Sequence, residues 1–173
     1  DSTVYAILMV TPAGRTNLVR FIETKHQTLP QIDANIRSLH QQWGFRKIMV
    51  DCTGGRNVHE FLMKDGIPAE GIYFNIKLKE EIFQYLKSQM QGEMFTMYKN
   101  EEAIKQLMDM RYEYTKVGSE GHIKIYSGQS KDSKLPGGDD YVTAIALVMW
   151  ATRMPSQPVL FSRVRSIFGR NEA

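Results

Sequence analysis

The segment Lys47-Ile48-Met49-Val50 is an apolar run that delivers a carboxylate, Asp51, before the chain turns through Gly54-Gly55. An acid at the carboxyl end of a strand lies where open α/β sheets place their ligand sites. The plainer alternative is that Asp51 only bonds a backbone amide of the following turn. A second acidic position comes much later, where Gly137-Gly138-Asp139-Asp140 opens the apolar stretch Tyr141-Val142-Thr143-Ala144-Ile145-Ala146-Leu147-Val148-Met149-Trp150. A single aspartate would serve as an ordinary helix N-cap, and the helix dipole tolerates an anion there. A second one beside it adds repulsion unless a cation relieves it. The glycine pair ahead of it allows backbone or substrate to approach closely.

These donors are all carboxylate oxygens, which suit Mg²⁺ or Mn²⁺ rather than zinc. No Cys/His set with zinc spacing occurs in the sequence. Two such cations held by carboxylates can hydrolyse a phosphodiester, because they activate the attacking water and stabilise charge on the attacking and leaving oxygens. Asp51, Asp139 and Asp140 are therefore the candidate catalytic residues and metal ligands.

The elements that must carry these acids can be read from pattern. Residues 3–10 are rich in β-formers, Pro12-Ala13-Gly14 forms a turn and residues 16–24 make a second strand, so residues 2–23 read as a β-hairpin. Ile32, Ile36, Leu39 and Trp43 recur at helical spacing and Gly44 stops that helix. A short strand over 45–50 ends at Asp51. A helix carrying Val58, Phe61 and Leu62 ends at Gly66, and residues 71–74 form another short strand. Helices are expected over residues 78–90, with Ile82, Phe83, Leu86 and Met90 on one face, and over 101–110. Residues 111–116 and 122–126 read as an extended pair, residues 127–138 as a polar loop, and 139–153 as a last helix. Strands alternating with helices imply an α/β domain whose sheet has a parallel part. Trp43, Trp150 and the methionines are expected in the core.

Bulk properties set outer limits. The chain has 173 residues, 42% of them hydrophobic and 24% charged, with a formal net charge of +3. That is enough for one domain with a sizeable core, and a mildly basic balance permits a polyanionic partner without requiring one. Cys52 is the sole cysteine, so no intramolecular disulfide forms and a reducing compartment is the natural reading. No apolar run approaches the roughly 20 residues of a membrane span, and no secretory leader pattern opens the chain. The abrupt start on Asp1-Ser2-Thr3, just before a strand, reads as a fragment of something longer.

The strand-end Val50-Asp51-Cys52-Thr53-Gly54-Gly55, the helix motif Lys79-Glu80-x-Ile82-x-x-x-Leu86 and the helix opening Gly137-Gly138-Asp139-Asp140-Tyr141-Val142-Thr143-Ala144 together resemble the nuclease domain of viral large terminase subunits. The resemblance spans residues 1–154, with 155–173 as a basic tail carrying Arg163, Arg165 and Arg170. It implies an RNase H-like (retroviral-integrase-like) mixed sheet flanked by helices. It also implies an endonuclease that cuts concatemeric double-stranded viral DNA during packaging, using two Mg²⁺ or Mn²⁺ ions. Asp51 matches the family's second acid and Asp139-Asp140 its terminal acidic motif, with Gly138 where a His is common. The implied partners are an upstream ATPase domain, the small terminase subunit and the capsid portal, and the implied location is the host cytoplasm. In the family the first strand carries a further acid. Either that strand lies upstream of residue 1, leaving this chain without a central strand, or Asp1 is itself that acid and a metal ligand. No phosphate-binding Gly-x-x-x-x-Gly-Lys-Ser/Thr loop appears, so ATP hydrolysis is not expected from these residues.

Contacts to DNA should be directed mainly at phosphates. Lys124, Lys131 and Lys134 lie on the extended pair and loop preceding the acids, Arg56 lies near a strand end, and Lys79 matches a recurrent basic residue of the family. Each is also what a solvated surface looks like. His59 and His122 could move protons, but His is common at helix surfaces and strand edges. Cys52 reads as a small apolar filler, with no histidine placed in sequence to support a thiol mechanism. Two rivals share the fold: a Holliday-junction-resolvase-like or transposase-like enzyme, and a catalytically silent module that binds DNA or protein.

Overall fold

The computed structural model describes residues 2–53, 55, 57–117, 120–127 and 139–153. β1 (Ser2–Val10) and β2 (Thr16–Lys25) form the expected antiparallel hairpin, with a bulge where Ile7 faces Arg20 and Leu8 faces Leu18. α1 (Leu29–Trp43) starts behind Thr28, whose amide donates to Gln31 Oε1 at 2.8 Å, and stops at Gly44 in the left-handed region at φ 61°. β3 (Ile48–Asp51) and β4 (Ala69–Ile72) pair in parallel across the intervening α2 (Val58–Lys64), with Asp51 opposite Ile72. α3 (Ile76–Gln91) is capped by Asn75, whose side chain accepts from Leu78 N. α4 (Glu101–Asp109) is capped in the same way by Asn100 on Ala103 N. β6 (Met110–Val117) and β7 (Glu120–Ser127) form the second hairpin, and α5 (Asp140–Ala151) closes the described chain.

One strand escaped the sequence pattern. β5 (Phe95–Met97) is only three residues long and lies parallel to β2, giving the sheet order β1-β2-β5. β4 also begins earlier than expected, at Ala69 rather than residue 71.

Two apolar clusters hold the layers together. One packs α5 (Val142, Ile145, Leu147, Met149) against α3 (Ile82, Phe83, Leu86) and β2 (Leu18), and the other packs α1 (Ile32, Ile36) against α2 (Val58, Leu62). α5 is apolar nearly all round and buried accordingly. Not every bulky side chain went inside. Trp43, in the last turn of α1, is 45% exposed, and Met9, Met63, Met90 and Met108 are exposed as well. Trp150 is partly buried against the core, edge-on to Tyr85.

Candidate metal and nucleic-acid site

The cleft of interest, about 460 Å³, has Asp51, Asp139, Asp140 and Lys79 among its lining residues. Three elements supply them. β3 carries Asp51 at its carboxyl end, α5 presents the aspartate pair at its start, and α3 contributes Lys79 from its first turns. The structure brings these four residues to one opening.

The hydrogen bonds separate the plain reading of each acid from the functional one. Asp51 Oδ1 accepts from the Thr53 amide at 2.8 Å, so the turn-stabilising role is realised with one oxygen. Thr53 in turn bonds the Phe74 amide through Oγ1 at 3.1 Å, which ties the ends of β3 and β4 together. The aspartate pair behaves differently. Asp139 occupies the N-cap position of α5 yet makes no side-chain capping bond. The amides of Tyr141 and Val142 donate instead to Gln106 Oε1 of α4, at 3.0 and 3.4 Å. Gln106 is 7% exposed, and its amide nitrogen is held by Glu102 at 3.1 Å. A neighbouring helix thus satisfies two of the donors that the first turn of α5 leaves unpaired, and neither aspartate side chain is used for those two. Asp140 Oδ2 accepts from Ser2 Oγ at 2.6 Å, and Asp139 Oδ2 lies 3.5 Å from Lys79 Nζ. Lys79 also sits over the Phe83 ring, 5.6 Å from its centroid.

The same turn of α5 is anchored at Tyr141. Its hydroxyl donates to Glu23 at 3.0 Å and its ring meets Phe21 edge-on at 4.9 Å. Burial, followed by the Glu23 hydrogen bond and charge, pushes the Tyr141 hydroxyl up to about 12, so it remains a donor.

Behind Asp51 lies a pairing that the sequence did not suggest. Cys52 is fully buried, and its Sγ lies 3.1 Å from His59 Nδ1. Burial, then the Asp51 charge, raises the thiol above its ordinary value, which keeps it protonated and makes it a poor nucleophile. The His59 ring fills the space over Gly71, where an added Cβ would stand 2.6 Å from the ring. Gly71→Ala should therefore destabilise the protein by about 1–3 kcal/mol, read by urea unfolding. Adding His59→Ala should recover much of that loss, and equal stability of Gly71→Ala and the parent would contradict the packing.

Among the described residues, no group of three or more His, Cys, Asp or Glu side chains is spaced to hold one metal ion. The donor chemistry nonetheless fits a hard cation, because Mg²⁺ commonly takes only one or two carboxylates and fills its remaining positions with water and phosphate oxygens. Asp51, Asp139 and Asp140 are the carboxylates at this opening that could contribute to holding one. Of the other residues singled out in the sequence, Asp1, Arg56, Lys131 and Lys134 lie outside the described residues. Lys124 pairs with Glu113 in the β6–β7 register. Sequence reasoning missed Ser2, Thr53 and Gln106, each of which acts through contacts distant along the chain or buried between helices.

No family model matches the chain, and no curated protein matches it in sequence. Solved structures do match its fold. The large terminase nuclease from thermophilic phage G20c with bound magnesium aligns at 19% identity and a TM-score of 0.69, covering 87% of this chain and 74% of that one. The same nuclease with bound cobalt aligns at 17% identity and a TM-score of 0.64, covering 87% and 81%. The large terminase nuclease domain of Thermus phage P74-26 aligns at 16% identity and a TM-score of 0.59, covering 84% and 77%. The chain has the fold of phage large-terminase nuclease domains, the RNase H-like mixed sheet flanked by helices.

Proposed function

We propose that the chain is a divalent-metal-dependent endonuclease that cleaves double-stranded viral DNA during genome packaging. The observation carrying this reading is that α5 is capped by Gln106 rather than by its own acids, which leaves Asp139 and Asp140 turned to the cleft that Asp51 also lines. Relatives of the same fold support it, being terminase nucleases, some with magnesium or cobalt bound. Packaging partners, namely the ATPase domain, the small subunit and the portal, and a place in the host cytoplasm belong to the same proposal.

Bound Mg²⁺ or Mn²⁺, as two ions, would activate a water for attack and stabilise charge on the phosphodiester oxygens. The chain's own residues prepare that step. Asp51, Asp139 and Asp140 supply the oxygen ligands. Ser2 orients the Asp140 carboxylate through its hydroxyl hydrogen bond, and Thr53 fixes Asp51. Lys79 offsets the acidic charge that would otherwise repel a polyanion, and it is placed to meet a phosphate. Lys124, Lys131, Lys134 and Arg56 are proposed to extend that phosphate contact.

The direct test is cleavage of supercoiled and linear plasmid with Mg²⁺, Mn²⁺ or a chelator. Cleavage that needs the metal and does not favour branched junctions supports this reading, and cleavage in chelator ends it. Junction-selective cutting would favour a resolvase-like enzyme instead. A second reading is a silent DNA-binding module, since among the described residues Asp51, Asp139 and Asp140 do not form one three-ligand cluster; duplex binding without any metal-dependent cutting is its expected result.

Lys79 makes a separate prediction. Lys79→Ala should weaken duplex binding and make the slope of log affinity against log salt shallower by about 0.9, the release of one phosphate contact. Anisotropy titrations in chelator at several salt concentrations measure this, and an unchanged slope would remove Lys79 from the DNA interface.

A further inference from the structure

The two most exposed aromatic rings among the described residues sit on one strand. Tyr112 is 64% and Tyr114 77% exposed, both on β6. The β6–β7 ribbon bonds to no third strand among the described residues. Side chains two apart on a strand share a face, so Met110, Tyr112 and Tyr114 point one way and Arg111 and Glu113 the other. Opposite Tyr112, on the same face, stands Ile125 of β7. Met110 and Ile125 pack on the core to which α3 contributes Ile82, Phe83 and Leu86. The two tyrosines continue that face past the cover the core gives it.

One cation reaches this face. Lys87 Nζ of α3 stands over the Tyr112 ring, 5.4 Å from its centroid. Alternation leaves no acid among residues 110, 112 and 114, so the face is flat, aromatic and positive. A protein lid would strip water from Lys87 without returning a charge, whereas a phosphate returns one. Bases stack on tyrosine whatever their sequence, and a neighbouring ammonium meets the backbone between them. Spacing selects the state of the strand. Same-face residues on a β-strand lie about 6.6 Å apart, roughly twice the 3.4 Å rise of bases in a duplex. Duplex bases are moreover covered above and below by their neighbours. Two rings so placed can take two bases only from a strand that is unpaired and drawn out.

We propose, relying on the nuclease reading only for the choice of DNA, that the Tyr112–Tyr114 face of β6 binds an unpaired DNA strand, its bases stacked on the two rings and a phosphate on Lys87. The face is tied to the cleft through α3. Lys79, beside Asp139, and Lys87, over Tyr112, belong to that one helix and lie about 12 Å apart along its axis. A strand that leaves the acids past Lys79 therefore meets Lys87 and Tyr112 within a few nucleotides. A frayed duplex end, or an end freed by a cut, presents bases in that state. The tyrosine face holds one strand of such an end, while Lys79 serves the duplex.

The test is anisotropy of a labelled oligothymidylate of about twelve nucleotides, titrated in chelator with the 173-residue chain and its variants. A duplex of matched length is titrated beside it at the same salt. The double variant Tyr112→Ala, Tyr114→Ala should bind the single strand at least about tenfold more weakly, with duplex affinity changed less than about twofold and Tm unchanged. Tyr112→Phe with Tyr114→Phe should keep the affinity, because the flat ring remains. Tyr112→Leu with Tyr114→Leu should lose it as alanine does, because leucine keeps the apolar surface and not the ring. Equal single-strand binding by parent and alanine variant overturns the proposal. So does full binding by the leucine variant, or a parallel loss of duplex affinity. Concentration-dependent dimerisation that the alanine pair abolishes would overturn it too, by assigning the face to a second copy of the chain. Every arm is read without metal, so loss of the cleavage reading leaves this face assigned, and failure here leaves that reading standing.

Discussion

Asp140→Ala and Asp51→Asn should each lower metal-dependent DNA cleavage by about 10³-fold, equivalent to ~4 kcal/mol of transition-state stabilisation, while the fold remains intact. The second half of that expectation is what makes it discriminating. Were Asp140 simply an acid favoured by the helix dipole, its removal would cost less than about 1 kcal/mol of stability and leave activity alone. As a ligand, its removal costs activity and little stability. Asp51 differs because its Oδ1 accepts from Thr53 N. Asparagine retains that acceptor and loses the charge, so Asp51→Asn separates the turn-forming role from the metal role. Initial rates of plasmid nicking beside urea unfolding curves decide both cases. Unchanged nicking in Asp51→Asn and Asp140→Ala would withdraw the site assignment.

Gln106→Leu should destabilise the protein by about 1–3 kcal/mol and lower cleavage at the same time. Leucine keeps the volume of the buried side chain but removes the acceptor for the Tyr141 and Val142 amides, one of them fully buried. Two orphaned donors at the start of α5 would then compete for the nearest acceptors, the carboxylates of Asp139 and Asp140. The acid pair would be drawn back into capping and away from the cleft. A variant that loses stability but nicks DNA at the parental rate would show that the acids do not depend on this cap.

These expectations rest on features that differ in how far the sequence could announce them. The hairpin, α1, α3 and α5 followed from periodicity and from caps such as Gly44, because those signals are local. The acids were conspicuous for the same reason: a carboxylate ending an apolar strand and a pair opening an apolar helix are both short-range patterns. β5 was not legible because three residues carry no period, and its pairing partner lies far back in β2. Trp43 and four methionines were expected inside because they are apolar, but residues at the ends of elements can project past the layer that would cover them. The capping role of Gln106 joins α4 to α5 and could come only from tertiary packing. So too with Cys52 and His59, which meet across the turn that leads into α2. The sequence reading of Cys52 as an inert filler agrees with its burial, whereas the histidine beside it came as an addition.

The first turn of α5 is gripped from three directions: Ser2 of β1 holds Asp140, Glu23 and Phe21 of β2 hold Tyr141, and Gln106 of α4 holds the backbone between. A turn clamped in this way should not loosen ahead of the elements that hold it. Warming should not blur the reactive geometry ahead of everything else, so the ability to cut and the ability to stay folded share a single midpoint rather than failing in sequence.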